Sequence, residues 1–202
     1  SVNGGFLYNF GNETFGSVVL EELKDDGIVY YGESKEEALS GYNGVFWENV
    51  TPQKKITLTQ RAFRYIFVSA KTTPKNLYAF YEYITYENVG NFSCDDESVK
   101  QIFDVCAYTF RLCSREFYLD GVKRDRWVWA GDAYQSFMIN RYFCADDEII
   151  KRTIIALLGK PPYFQNINTI NDYSMYLIIS VYDYWFSTDD GDFVRRIYNR
   201  LK

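Results

Sequence analysis

A chain of 202 residues with 47% hydrophobic content can bury one large core or two small ones, which excludes general disorder. Its net charge of −5, with no basic stripe, argues against nucleic acid as a partner, and no apolar run approaches the roughly 20 residues that cross a bilayer, so no membrane partner is expected. Histidine is absent, which removes Ser-His-Asp and Cys-His triads and most catalytic zinc sites; chemistry must come from carboxylates, and no metal or other cofactor is expected.

From Phe6 to about Tyr86 short runs of Val, Ile, Tyr and Phe alternate with turn residues, the pattern of β structure. Strands are expected over 15–23, 28–31, 45–50, 61–70 and 77–86, with Asp25-Asp26-Gly27 as a hairpin turn and Lys35 to Leu39 as one helical turn. The later residues of Arg61-Ala62-Phe63-Arg64-Tyr65-Ile66-Phe67-Val68 are nearly all apolar or aromatic, which predicts a strand buried on both faces. These strands suit an antiparallel β-sandwich, incomplete on its N-terminal side. Glu33, Trp47 and Glu48 are candidates for saccharide contact, but ordinary sheet packing and surface is the favoured reading of them.

Asn88-Val89-Gly90-Asn91 breaks the strand pattern and sets a boundary between a β domain over 1–90 and a helical domain over 91–202. Asp95 or Ser93 is expected to cap a first helix whose apolar face is Val99, Ile102, Phe103, Cys106, Phe110 and Cys113. A second helix is expected over 133–143 with Asp132 near its N-cap. A third, over 146–158, stops at Gly159-Lys160-Pro161-Pro162. Asp172 opens a fourth over 173–186, hydrophobic nearly all round and so expected to be buried; the polar Gln165-Asn166-Ile167-Asn168-Thr169 precedes it. After the turn Ser187-Thr188-Asp189-Asp190-Gly191 a fifth helix begins. Cys94, Cys106, Cys113 and Cys144 have no CxxC spacing and read as reduced core thiols, which suits a cytoplasmic setting.

Residues 120–132 have no period that would bury one face, yet collect Asp120, Lys123, Arg124, Asp125, Arg126 and Asp132 around Trp127 and Trp129. A solvated loop of Arg–Asp pairs has such charges too, but two tryptophans inside it suit a sugar pocket, where aromatic faces cover C–H groups and ionic groups hold hydroxyls.

The string Ser114-Arg115-Glu116-Phe117-Tyr118-Leu119-Asp120-Gly121-Val122-Lys123-Arg124-Asp125-Arg126, followed by Trp129-Ala130-Gly131-Asp132, closely resembles the active-site signature of bacterial α-L-rhamnosidases of glycoside hydrolase family 78. The resemblance implies an α+β multidomain plan, β-sandwich domains joined to an (α/α)6 barrel of which this chain would hold the first helices. It also implies cleavage of terminal α-L-rhamnose with inversion and a rhamnose-containing saccharide or glycoside as partner. In that likeness Asp125 occupies the position of the general acid, and Asp120, Arg124, Trp129 and Asp132 those of the residues that hold rhamnose. Many relatives have Glu where this chain has Asp125, so the proton would be delivered on an arm shorter by one C–C bond.

Physically, Asp120 and Asp132 would oppose ionisation of Asp125 and the guanidinium groups of Arg124 and Arg126 would favour it, which leaves the sign open. Asp125 could also simply pair with either arginine and hold the loop. The family's water-activating glutamate lies far downstream of the signature, and Ser1-Val2-Asn3-Gly4-Gly5 has no leader pattern, so the chain reads as a fragment, inactive or nearly so alone. Its open barrel would expose Val181, Tyr184 and Ile197 and could pair two copies as a homodimer. A different glycosidase on the same plan, or a non-catalytic carbohydrate-binding protein, are the alternatives.

Overall fold

Strand β1, Phe6–Leu23, is the longest element of the first half and the one on which the others assemble. The computed structural model describes residues 4–86, 89–160 and 169–201, and the chain divides into two compact units, Ser1–Glu82 and Tyr83–Lys202. In the first unit β2 (Gly27–Gly32), β3 (Trp47–Val50), β4 (Gln53–Thr57), β5 (Arg61–Ser69) and β6 (Asn76–Tyr81) join β1 in an antiparallel sheet of order β3-β2-β5-β1-β4, with β6 also paired to β1.

The sheet curls because β1 serves two sets of partners. Its first half pairs with β5, with a register shift between Asn9 and Thr14, and its second half pairs with β4 and β6. Gly16 sits where the partners change, and a Cβ there would fall 2.0 Å from the Phe80 carbonyl oxygen, so only glycine allows β6 to approach. The curl closes on a core of Val18, Leu20, Val29, Tyr31, Phe63, Ile66 and Val68. Strand β5 is buried on both faces as expected, because Phe67 on its other side packs with Tyr30 and Ala38 of the short helix α1 (Lys35–Leu39).

Three local expectations change. Asp25-Asp26-Gly27 is a tight connection and not a hairpin, since β1 and β2 lie on either side of β5, the most apolar strand. Strand β4 was not anticipated, and β6 ends at Tyr81. Glu48 and Trp47 belong to sheet packing: Glu48 accepts from Tyr31 Oη at 2.6 Å and Thr59 Oγ1 at 2.8 Å, and Trp47 stands edge-on to Tyr42 at 5.0 Å.

The second unit is helical: α2 (Glu97–Cys113), α3 (Ala130–Phe143), α4 (Asp147–Leu157), α5 (Asn171–Thr188) and α6 (Gly191–Ile197). Asp96, rather than Asp95 or Ser93, caps α2 by accepting from the Ser98 N–H at 2.8 Å, and Asp146 caps α4 likewise from Glu148 at 3.0 Å. A left-handed Gly159 follows α4. Pro161-Pro162, Gln165-Asn166-Ile167-Asn168 and Asn88 lie outside the described residues.

The core here is Phe110, Tyr118, Phe137, Phe143, Ile149, Ile154, Val181, Tyr184, Phe193 and Ile197. Val181, Tyr184 and Ile197 are therefore buried and not open, contrary to expectation. Helix α5 packs on α3, α4 and α6, which covers one side and leaves Met175, Ile178, Tyr182 and Phe186 exposed; an all-apolar helix is buried all round only when it has neighbours all round. On α2, Phe110 is buried but Val99, Ile102 and Cys106 are exposed. The four cysteines are free, yet only Cys144 is a core thiol; Cys94 and Cys106 are exposed and Cys113 is half-buried.

Candidate active site

The loop between α2 and α3 is rooted in the core before it reaches its charged part. Ser114, fully buried at the end of α2, donates its hydroxyl to the Phe110 carbonyl at 2.7 Å. Tyr118, 1% exposed, donates its hydroxyl to Asn140 Oδ1 of α3 at 2.8 Å, while its backbone N–H donates to Thr153 Oγ1 of α4 at 3.1 Å. Asn140 Oδ1 also accepts from the Cys144 thiol at 2.8 Å and the Asp146 N–H at 3.2 Å, so one amide oxygen joins the loop to both helices. Burial pushes the Tyr118 phenol well above its ordinary range, which keeps it a donor.

Beyond this root the chain closes on itself. The Trp127 N–H donates to Asp120 Oδ1 at 2.9 Å, and the Asp120 N–H donates to the Trp127 carbonyl at 3.1 Å. Between them Val122 is buried, and Asp125 and Arg126 both adopt left-handed backbone with φ of 60° and 48°. Two consecutive non-glycine residues in that region cost of order 1–3 kcal/mol each, a kind of outlier that collects at functional sites. Arg124 and Asp125 are exposed at this tip; Asp120, Trp129 and Asp132 are half-buried. Burial raises the Cys113 thiol at the foot of the loop, with the Arg115 guanidinium opposing and the Asp120 carboxylate adding to the shift.

Trp129 is the N-cap of α3, which starts three residues earlier than the sequence suggested, so Asp132 lies in its first turn at the positive end of the helix. Asp172 lies likewise in the first turn of α5. The structure brings these two helix starts together through a residue the sequence reading passed over. Tyr173 of α5 stands edge-on to Trp129 with centroids 6.2 Å apart and directs its hydroxyl to Asp132 Oδ2 at 3.4 Å. Tyr176 and Tyr134 extend the aromatic wall. The one hint of Tyr173 in the sequence was its place beside the expected helix-opening Asp172.

An aromatic face beside a carboxylate, as Trp129 and Tyr173 stand beside Asp132, can stack on a pyranose and hold its hydroxyls. Among the described residues no group of three or more Cys, Asp and Glu side chains could hold a metal ion, and no helix is long and apolar enough to cross a membrane.

A curled antiparallel sheet followed along the chain by paired helices, with a charged, tryptophan-bearing loop before the second of them, is the plan of a glycoside hydrolase built on helical hairpins. Residues 87–202 match the bacterial alpha-L-rhamnosidase 6 hairpin glycosidase domain, and residues 1–68 match the N-terminal domain of alpha-rhamnosidase-like proteins of bacteroidetes. The chain belongs to the bacterial α-L-rhamnosidase six-hairpin glycosidase family.

Solved structures of similar fold include the GH78 rhamnosidase of Bacillus sp. GL1, at 19% identity and a TM-score of 0.83 over 97% of this chain and 23% of that one. A Klebsiella oxytoca rhamnosidase with rhamnose bound is 18% identical, with a TM-score of 0.75 over 98% of this chain and 47% of that one. The α-L-rhamnosidase of Dictyoglumus thermophilum is 16% identical, with a TM-score of 0.68 over 98% of this chain and 26% of that one. The chain thus spans less than half the length of each of these proteins. No curated protein matches it.

Proposed function

We propose that this chain supplies the acid and sugar-binding half of an α-L-rhamnosidase that removes terminal α-L-rhamnose with inversion, residues 1–90 forming an accessory β domain and 91–202 the first part of the catalytic barrel. The observation that carries the reading is the junction of the clasped loop with the α3 start: Asp120 is fixed to Trp127, Asp125 sits on constrained left-handed backbone, and Trp129 and Asp132 follow within one helical turn.

In this reading Trp129 covers a face of the sugar while Asp120, Arg124 and Asp132 take its hydroxyls. Asp125 gives its carboxyl proton to the glycosidic oxygen as the bond from the anomeric carbon to that oxygen breaks. Water attacks the opposite face of the ring, activated by a carboxylate about 6.5–9.5 Å from the acid. That second carboxylate is assigned to no residue of this chain. Four free cysteines favour a reducing compartment, the cytoplasm.

A panel of nitrophenyl glycosides presented to the intact protein that carries this chain tests the reading. Turnover of the α-L-rhamnoside, with the anomer of opposite configuration released first in the NMR spectrum, is the expected result; turnover of another glycoside alone rejects the sugar assignment. A second reading, saccharide binding without turnover, draws on the exposure of Asp125, since general acids ordinarily work in water-poor surroundings. In that reading the panel gives binding and no product.

A further inference from the structure

We infer that Tyr173 is a positioning residue of this site: its ring, laid against Gly131, and its hydroxyl, directed to Asp132, hold Trp129 and Asp132 in the arrangement that receives the sugar. The inference rests on the sugar-binding reading above and adds to it a residue from a different helix.

Three contacts converge on Tyr173. A Cβ added at Gly131 would fall 2.9 Å from Tyr173 Cε1 and Cζ and 3.1 Å from its hydroxyl oxygen, so the ring fills the space any other residue at 131 would need. The ring meets Trp129 nearly perpendicularly, at 82° and 6.2 Å, an attractive edge-to-face geometry that limits how far the indole can swing. The hydroxyl reaches Asp132 Oδ2 at 3.4 Å, a loose hydrogen bond that favours one carboxylate orientation.

These contacts span residues 129, 131 and 132, so a single side chain of α5 touches the cap of α3 and two residues of its first turn. Tyr176 backs the ring from behind at 6.0 Å and 85° and is itself packed on Tyr134 at 5.5 Å, so Tyr173 has little room to turn away. Its phenol is pushed above the ordinary range, by burial first and by the Asp132 charge second, so it remains a proton donor at neutral pH. Helix α4 lies between α3 and α5 along the chain, and Tyr173, together with Tyr176 on Tyr134, ties the start of α5 to the start of α3.

The test measures kcat, KM and melting temperature for Tyr173→Phe, Tyr173→Leu and Gly131→Ala in the intact protein, with nitrophenyl α-L-rhamnoside. Losing the hydroxyl alone should raise KM about three- to tenfold with kcat within about twofold and melting unchanged. Tyr173→Leu, which also removes the ring from Trp129, and Gly131→Ala, which drives the ring aside, should each raise KM further. Unchanged KM in both tyrosine variants, or a fall of kcat that only follows a loss of folded protein, overturns the inference.

If the intact protein prefers another glycoside, the same ratios are read on that one, so the sugar assignment fails separately from the positioning role. If it turns over none, the crystal structure of Tyr173→Leu decides: displaced Trp129 and Asp132 side chains support the role, and unmoved ones overturn it.

Discussion

Asp120 and Trp127 hold each other by two hydrogen bonds, carboxylate to N–H at 2.9 Å and N–H to carbonyl at 3.1 Å, and so close the turn that carries Asp125. A residue proposed to hold sugar hydroxyls therefore also shapes the backbone, and the two roles can be separated. Asp120→Asn keeps an acceptor oxygen for the Trp127 N–H but removes the charge; Asp120→Ala removes both. Hydrogen exchange at the Trp127 amide should speed up about fivefold in the alanine variant and stay near wild type in the asparagine one, for a bond of roughly 1 kcal/mol. Rhamnose affinity should fall in both. Equal exchange rates in the two variants would mean that the carboxylate does not shape the turn.

Asp125→Asn isolates the proton. Asparagine tolerates left-handed backbone better than nearly any other non-glycine residue, so the φ of 60° should persist and melting should not change. In the intact protein kcat should drop about 100-fold or more for an alkyl rhamnoside, whose leaving oxygen needs the proton, and less for a nitrophenyl one, whose leaving group does not. A loss of the same size on both substrates, or none, argues against Asp125 as the general acid.

How much of this could be read along the chain varied with how local each signal was. Strand β5 announced itself because burial on both faces requires a nearly unbroken apolar run. Strand β4 did not, because Lys54 and Lys55 lie on an exposed strand where charge guards the sheet edge and looks like loop. The charge and tryptophan cluster of the 120–132 loop stood out by composition alone. The partner of Asp120 did not, because it is a backbone N–H, which carries no sequence signature. Tyr173 was hidden for another reason: its contacts with Trp129 and Asp132 reach across some 40 residues and exist only once α3 and α5 pack. The burial of α5 was overread for the same reason, since hydropathy reports what a helix can bury and not which neighbours arrive.

The cysteines should divide by exposure when the native protein meets iodoacetamide near neutral pH. Cys94 and Cys106 are open to solvent and should be alkylated; Cys144 is buried, and its thiol is raised first by desolvation, so it should stay protonated and unmodified. Cys113, raised for the same leading reason and half-buried, should react slowly. Mass spectrometry of peptides from timed samples reads the order, and early labelling of Cys144 would contradict its place in the core.

Asp190 predicts a pH dependence at the start of α6. Its carboxylate accepts from the Phe193 N–H at 2.9 Å and the Tyr184 hydroxyl at 2.9 Å, and these bonds, the backbone one first, hold its carboxyl below the ordinary value of 3.8. A folded value below the unfolded one means the stabilisation is complete above the unfolded value and is lost as pH falls through the folded one. Asp190→Ala should therefore melt below wild type at neutral pH, and the gap should close as the pH drops below about 4. A gap that stays constant into acid would place the effect in packing and not in the charged cap.

Asn140 is the position where a single change should hurt the helical unit most. Its side-chain oxygen, 1% exposed with its residue, serves three donors from three places: Tyr118 Oη, the Cys144 thiol and the Asp146 N–H that begins the cap of α4. Asn140→Ala leaves all three without that acceptor in a buried setting, where each orphaned donor costs on the order of 1 kcal/mol or more, so a loss of about 3 kcal/mol is expected in urea unfolding. Tyr118→Phe removes one donor and leaves Asn140 the other two, for a loss of about 1 kcal/mol. In the double variant the two losses should fall short of their sum by about 1 kcal/mol, because the tyrosine hydroxyl can no longer be orphaned by the missing amide. Strict additivity would show that the two side chains do not act as one network, and the rigid root assigned to the signature loop would then need another source.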